Sequence, residues 1–140
     1  MQSAGFRIAL MFALLNSPAI AADSFSFTPI SSAGSLRWSV AVNGGSATNN
    51  PTLHLVRGQT YDFTVKANAS HPFYVKTVSS TGSGNAYSGF VPNGIATSTM
   101  QTVSFLVPAT APDALFYNCS IHSSMAGKID VSIFRDGFGN

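Results

Sequence analysis

The chain has 140 residues, of which only 9% are charged, and its formal net charge is +2 at pH 7. No Lys/Arg cluster exists, and nucleic-acid binding needs a dense basic face, so we exclude a nucleic-acid-binding protein. Glutamate is absent, and the five aspartates are scattered without forming a pair. We therefore expect no enzyme that works by general acid–base chemistry.

Residues 1–22 have the order of a secretory signal peptide. Arg7 supplies a positive charge, residues 8–15 form the apolar run IALMFALL, and residues 18–22 offer a small-residue cleavage site. The run is far shorter than the roughly 20 residues that span a bilayer, although an uncleaved membrane anchor is an alternative. We expect an exported protein, periplasmic or extracellular, that does not stay inserted in a membrane after cleavage.

From residue 23 onward, short runs of alternating apolar and polar residues are separated by Gly, Pro, Asn and Ser. This pattern predicts strands at 25–29, 36–43, 52–57, 59–67, 72–78, 101–107, 114–118 and 128–134. In each strand one face is expected to be buried and the other wet. No stretch of helical length has an apolar stripe, so we predict an all-β two-sheet sandwich or barrel of seven to eight strands. It would occupy residues 23–135, with a frayed tail at 136–140.

Residues 79–100, SSTGSGNAYSGFVPNGIATSTM, break this rhythm. A connection of this length is uncommon unless it is functional or disordered. We interpret it as a surface loop; a flap beside a functional site is the alternative.

Cys119 is the single cysteine of the chain. In an exported protein thiols normally pair, so a lone cysteine is a buried inert thiol, an intermolecular link or a metal ligand. Two further residues favour the ligand, because His122 and Met125 follow at C-x2-H-x2-M. Thiolate, imidazole and a weak thioether are the donors that suit copper, whereas structural zinc rarely takes methionine.

A second imidazole is needed to complete a trigonal plane of two nitrogens and one sulfur. His71 is the best candidate, because it follows one predicted strand and opens the next. His54 lies in the middle of a predicted strand, and we expect it on the solvent face.

These segments resemble those of the cupredoxins, the type 1 blue-copper family of plastocyanin and amicyanin. The run from Tyr117 to Gly127, YNCSIHSSMAG, is similar to the family's ligand loop, and GQTYDFTV at residues 58–65 is similar to the strand before its first histidine. The resemblance covers most of residues 53–133 and implies a Greek-key sandwich with one copper ion. It also implies that His71, Cys119 and His122 are equatorial ligands and Met125 the weak axial ligand.

Two positions depart from the family's usual pattern. Pro72 stands where an asparagine usually donates its backbone N–H to the cysteine sulfur, and proline has no N–H. Ile121 stands where many members have proline, and we expect this change to affect loop rigidity only.

The resemblance implies single-electron transfer between redox partner proteins that dock near His122, by a monomer that is not an enzyme. Met100, Phe90, Ile95, Ile121 and Met125 are either an apolar patch around His122 or ordinary core and loop residues. A copper carrier or storage protein would use the same ligands, and a sandwich that never binds copper is a third possibility.

Overall fold

The computed structural model of the chain describes residues 23–133. These residues form β1 (Ser24–Ser32), β2 (Ser35–Val42), β3 (Thr48–Asn49), β4 (Leu53–Val56), β5 (Thr60–Val65), β6 (Phe73–Lys76), β7 (Gln101–Leu106), β8 (Ala114–Cys119) and β9 (Ala126–Ser132). Within this part of the chain, no helix has the length and apolar character needed to cross a membrane. The predicted signal peptide (1–22), the predicted tail (136–140) and residues 134–135 of the predicted domain lie outside the described residues.

The strands form two sheets with the orders β3-β2-β1-β5-β7 and β4-β9-β8-β6. Most neighbours are antiparallel, but β1 pairs with β5 and β4 pairs with β9 in parallel. From β3 to β8, every connection crosses from one sheet to the other. The predicted all-β two-sheet sandwich is therefore confirmed, with nine strands in the described residues instead of seven or eight.

Buried aromatic side chains from both sheets fill the space between them. Phe27 on β1 packs against Phe73 on β6 and Tyr117 on β8, with ring centroids 4.8 and 5.3 Å apart. Trp38 on β2 meets Phe73 edge-on at 5.3 Å. All four side chains are fully buried, and such tilted contacts stabilise the core beyond the burial of apolar area. β6 and β8 are thus held firmly against the opposite sheet.

The alternation predicted from the sequence holds along most strands. Tyr61, Phe63 and Val65 on β5 point inward and are buried, as expected. The predicted strand at 128–134 implied that Ile133 shares the buried face of Ile129 and Val131, which is wrong: β9 ends at Ser132 and Ile133 is 65% exposed. β3 was not predicted, because both of its residues are exposed and carry no alternation.

The connection between β6 and β7 lies along the open edge of β6. Phe73 and Ile95 exchange two backbone hydrogen bonds, at 2.8 and 3.0 Å, and the Tyr87 N–H donates to the Val75 carbonyl at 2.8 Å. These bonds satisfy backbone groups that an uncovered edge strand would leave unpaired. The connection therefore extends the second sheet.

Asn93 fastens this connection to β6. Its side-chain oxygen accepts the Val75 N–H at 2.8 Å, and its amide nitrogen donates to the carbonyls of Tyr87 and Phe90 at 2.9 and 3.0 Å. Phe90 and Ile95 enter the core and are 1% and 4% exposed. The interpretation as a plain surface loop is wrong for these two residues.

Candidate metal centre

Strand register places the predicted ligands at one end of the second sheet. On adjacent antiparallel strands, Phe73 of β6 lies opposite Cys119 of β8. His71, two residues before Phe73, is therefore at the same end of the sheet as Cys119. Residues 120–125 connect β8 to β9 at this end and carry His122. Two segments that are distant in sequence thus meet because their strands are neighbours.

The donor atoms of His71, Cys119 and His122 all lie within 4.8 Å of one another. The two imidazole Nδ1 atoms are 3.2 Å apart, and the Cys119 Sγ is 3.6 Å from the Nδ1 of His122. Cys119 is fully buried, and both histidines are half-buried. The structure therefore brings together three of the four residues that the sequence singled out.

Two of the three donor separations fit a shared metal ion. Bonds of about 2.0 Å to nitrogen and about 2.3 Å to sulfur are usual for a first-row ion such as zinc. In a trigonal plane they would separate the two nitrogens by about 3.5 Å and a nitrogen from the sulfur by about 3.7 Å. The observed 3.2 and 3.6 Å are close to these values. The donor set also has the chemistry that copper prefers.

The surroundings of His71 favour its neutral form. Burial, and second the charge of His122, lower the pKa of His71 below its ordinary value. A neutral imidazole nitrogen is the form that binds a metal, so little proton release would oppose binding at this residue.

Met125 lies next to Cys119 in the interior. Its carbonyl accepts the Cys119 N–H at 2.8 Å, its own N–H donates to the His122 carbonyl at 3.0 Å, and its side chain is fully buried. The backbone thus ties the predicted axial ligand to both loop ligands.

The Cys119 sulfur accepts a backbone hydrogen bond that the sequence did not predict. The Ile121 N–H donates to Sγ at 3.4 Å. The expectation that Ile121 affects loop rigidity only is therefore wrong, because a proline at this position would remove the donor. Pro72 has no N–H to donate to the sulfur. Its carbonyl accepts the Ser120 N–H at 3.0 Å.

The opposite sheet holds the ligand loop through Ser124. The Arg37 guanidinium and the Asn50 amide donate to the Ser124 carbonyl at 3.0 and 2.8 Å, and the Ser124 hydroxyl donates to the Leu36 carbonyl at 2.8 Å. We call this set of three hydrogen bonds the Ser124 clamp. No local sequence signal predicts it, because the partners lie 74 to 88 residues away.

Tyr117 and Gly127 form a close pair beside the loop. They lie opposite each other on β8 and β9, and the Tyr117 hydroxyl donates to the Pro51 carbonyl at 2.6 Å. A Cβ atom on Gly127 would overlap the phenol of Tyr117. Glycine at this position therefore makes room for the buried tyrosine.

Two further expectations concern residues outside the ligand set: the exposure of His54 and the candidate apolar patch. The side chain of His54 is 76% exposed, so its predicted place on the solvent face is confirmed. Of the candidate apolar patch, Phe90, Ile95 and Met125 are buried core residues, whereas Met100 and Ile121 are 58% and 53% exposed. A patch made of all five residues is therefore excluded.

No protein-family model and no curated protein sequence matches the chain. Among solved structures, it is similar to rusticyanin from Thiobacillus ferrooxidans at 20% identity, over 78% of this chain and 75% of that chain, with a TM-score of 0.47. Reduced rusticyanin gives 20% identity, 78% and 77% coverage and a TM-score of 0.49. A multi-copper oxidase from Pseudomonas Thermotolerans gives 12% identity, 82% and 30% coverage and a TM-score of 0.44.

At identities of 20% or less and TM-scores below 0.5, these likenesses support no argument about activity or fold. The chain's own strands and donor atoms define its fold. Two face-to-face sheets place a histidine before β6 beside the cysteine at the end of β8 and the histidine in the following loop. The chain thus has the cupredoxin-like β-sandwich fold that its sequence predicted.

Proposed function

We propose that the protein is an exported blue-copper electron carrier. His71, Cys119 and His122 would bind one copper ion, with Met125 as the weak axial ligand. The observation that carries this proposal is the convergence of three soft or borderline donor atoms within 4.8 Å, from two separate segments of the chain.

When bound, copper supplies reversible one-electron chemistry. The residues of the chain supply a fixed geometry for it. Cys119 belongs to a strand, and its N–H is paired with the Met125 carbonyl at 2.8 Å. The Ser124 clamp holds the rest of the loop to the opposite sheet. Because the donors are held by paired backbone and packed core, they would move little when the charge of the centre changes.

Partner proteins would meet the site at His122, whose half-buried imidazole lies next to the exposed side chain of Ile121. We expect a monomer that forms brief contacts there. Replacing Ile121 by lysine keeps the backbone N–H and should slow electron exchange with partners while the visible spectrum stays unchanged.

The decisive experiment adds Cu(II) to the chain from residue 23 onward and records visible and EPR spectra. We expect an intense thiolate-to-copper band that Cys119→Ser abolishes. His71→Ala should also abolish it, whereas the exposed His54 provides the matched control His54→Ala, which should leave the band intact. A protein that binds zinc but forms no such band with copper would refute the proposal.

A pair of matched substitutions tests Met125 as the axial ligand. Met125→Leu keeps the buried volume but removes the thioether, so the band position and the reduction potential should shift. Met100→Leu makes the same exchange at an exposed site and should change neither. Voltammetry and transfer to a copper chelator then distinguish an electron relay from a copper carrier. A relay changes oxidation state reversibly with copper retained, whereas a carrier releases its copper to the chelator.

A further inference from the structure

Lys76 is a buried cation on the outer side of the second sheet. It ends β6 on the face that alternation directs toward solvent, yet its side chain is 0% exposed. Its Nζ donates to the carbonyls of Ser80, Thr81 and Gly82 at 2.9, 3.3 and 2.5 Å. An ammonium group has three N–H donors, so these carbonyls satisfy all of them.

In the described part of the chain, no acidic side chain forms an ion pair with this charge. Among residues 23–133, ion pairs join Arg57 to Asp113, and Lys128 and His54 to Asp130, and none involves Lys76. Burying a charge without an opposite charge beside it is unfavourable, so a typical surface lysine would not be placed here. The neutral carbonyl cage reduces that cost without cancelling the charge.

The same turn that encloses Lys76 contacts both neighbours of Cys119. The Gly82 N–H donates to the Ser120 carbonyl at 2.6 Å, and the Asn118 amide donates to the Ser79 hydroxyl at 3.3 Å. The cage and the cysteine are therefore parts of one hydrogen-bonded unit. Burial lowers the pKa of Lys76, and a negative charge at Cys119 would act in the opposite direction.

We propose that Lys76 is a fixed positive charge that raises the reduction potential of a metal centre on Cys119. The inference depends on the proposed copper site. Adding an electron lowers the net charge of the centre by one, and a nearby positive charge stabilises the more negative state. Because Lys76 is buried, salt screens this interaction far less than it screens a charge at the surface.

The test replaces Lys76 by methionine and by glutamine, with Lys66→Met as the matched control. Lys66 is exposed, so the control removes the same charge from a screened position. We expect both Lys76 variants to have a lower reduction potential than the wild type, by the same amount at low and high salt, with the thiolate-to-copper band unmoved. A shift no larger than that of Lys66→Met, a shift that disappears at high salt, or a displaced band would overturn the proposal.

A measurement on the unmodified protein covers the case in which the variants do not fold. In metal-free wild-type protein labelled with 15N-lysine, the Lys76 ammonium should keep its protons for longer than any exposed lysine; equally fast exchange would contradict a caged ammonium. Failure of the proposed function looks different, because the wild type would then form no thiolate-to-copper band at all.

Discussion

Replacing Gly127 by alanine should destabilise the metal-free protein markedly. The added Cβ would overlap the phenol of Tyr117, which cannot move aside freely. Its hydroxyl donates to the Pro51 carbonyl at 2.6 Å, and its ring lies 5.3 Å from Phe27 and 6.5 Å from Phe73, centroid to centroid.

The magnitude follows from these contacts. Overpacking in a close-packed core costs about 1–3 kcal/mol. If the ring shifts, the Pro51 carbonyl loses its donor at a further cost of about 1–3 kcal/mol. Alanine recovers about 0.4–1 kcal/mol by restricting the unfolded chain. The net loss is about 1–5.5 kcal/mol, or a fall in Tm of about 4–22 °C at about 4 °C per kcal/mol.

Thermal and urea unfolding of the metal-free protein measure this loss. Gly84→Ala is the matched control, because a Cβ there meets nothing within 4 Å, and its stability should stay within about 0.5 kcal/mol of the wild type. In a double-mutant cycle, Tyr117→Leu should remove most of the cost of Gly127→Ala. If Gly127→Ala unfolds at the same midpoint as Gly84→Ala, the reasoning about this pair is refuted.

Three further changes test the loop and the edge of the sheet. Ile121→Pro removes the N–H at the Cys119 sulfur and should lower the reduction potential by about 60–130 mV, from about 1.5–3 kcal/mol for a charged hydrogen bond at about 59 mV per 1.4 kcal/mol. Ile121→Ala keeps the N–H and should leave the potential near that of the wild type. Pro72→Asn supplies the backbone N–H that the family resemblance implies at the sulfur and should raise the potential, so a fall or no change on voltammetry would contradict this expectation. Asn93→Ala leaves its three backbone partners unpaired and should lower the free energy of unfolding by about 1–3 kcal/mol, whereas an unchanged urea midpoint would argue against a fastening role.

Alternation and ligand chemistry made much of this structure predictable. Strands such as β5 show period two over six residues, and each predicted strand corresponds to an observed one. The site could be predicted because Cys119 and His122 share one loop, and because the strand that follows His71 pairs with the strand that ends at Cys119.

What the sequence could not predict depends on tertiary contacts. The alternation of β6 correctly places Lys76 on the outer face of its strand. Its side chain is nevertheless buried, because residues 80–82 fold over it. Phe90 and Ile95 lie in a segment rich in Gly, Ser and Asn without alternation, and Val91 beside Phe90 is exposed, so no period marks the two buried residues as core. The hydrogen bond from Ile121 to the sulfur uses a backbone N–H, which any residue except proline would provide.

The Ser124 clamp has a consequence for how fast a bound ion can leave. The loop that carries His122 and Met125 is tied to Leu36, Arg37 and Asn50 in the opposite half of the molecule. Opening the loop breaks these hydrogen bonds, so we expect a bound ion to leave more slowly than from a loop held only by its own residues. Occupancy by the ion would in turn protect the folded chain from proteolysis.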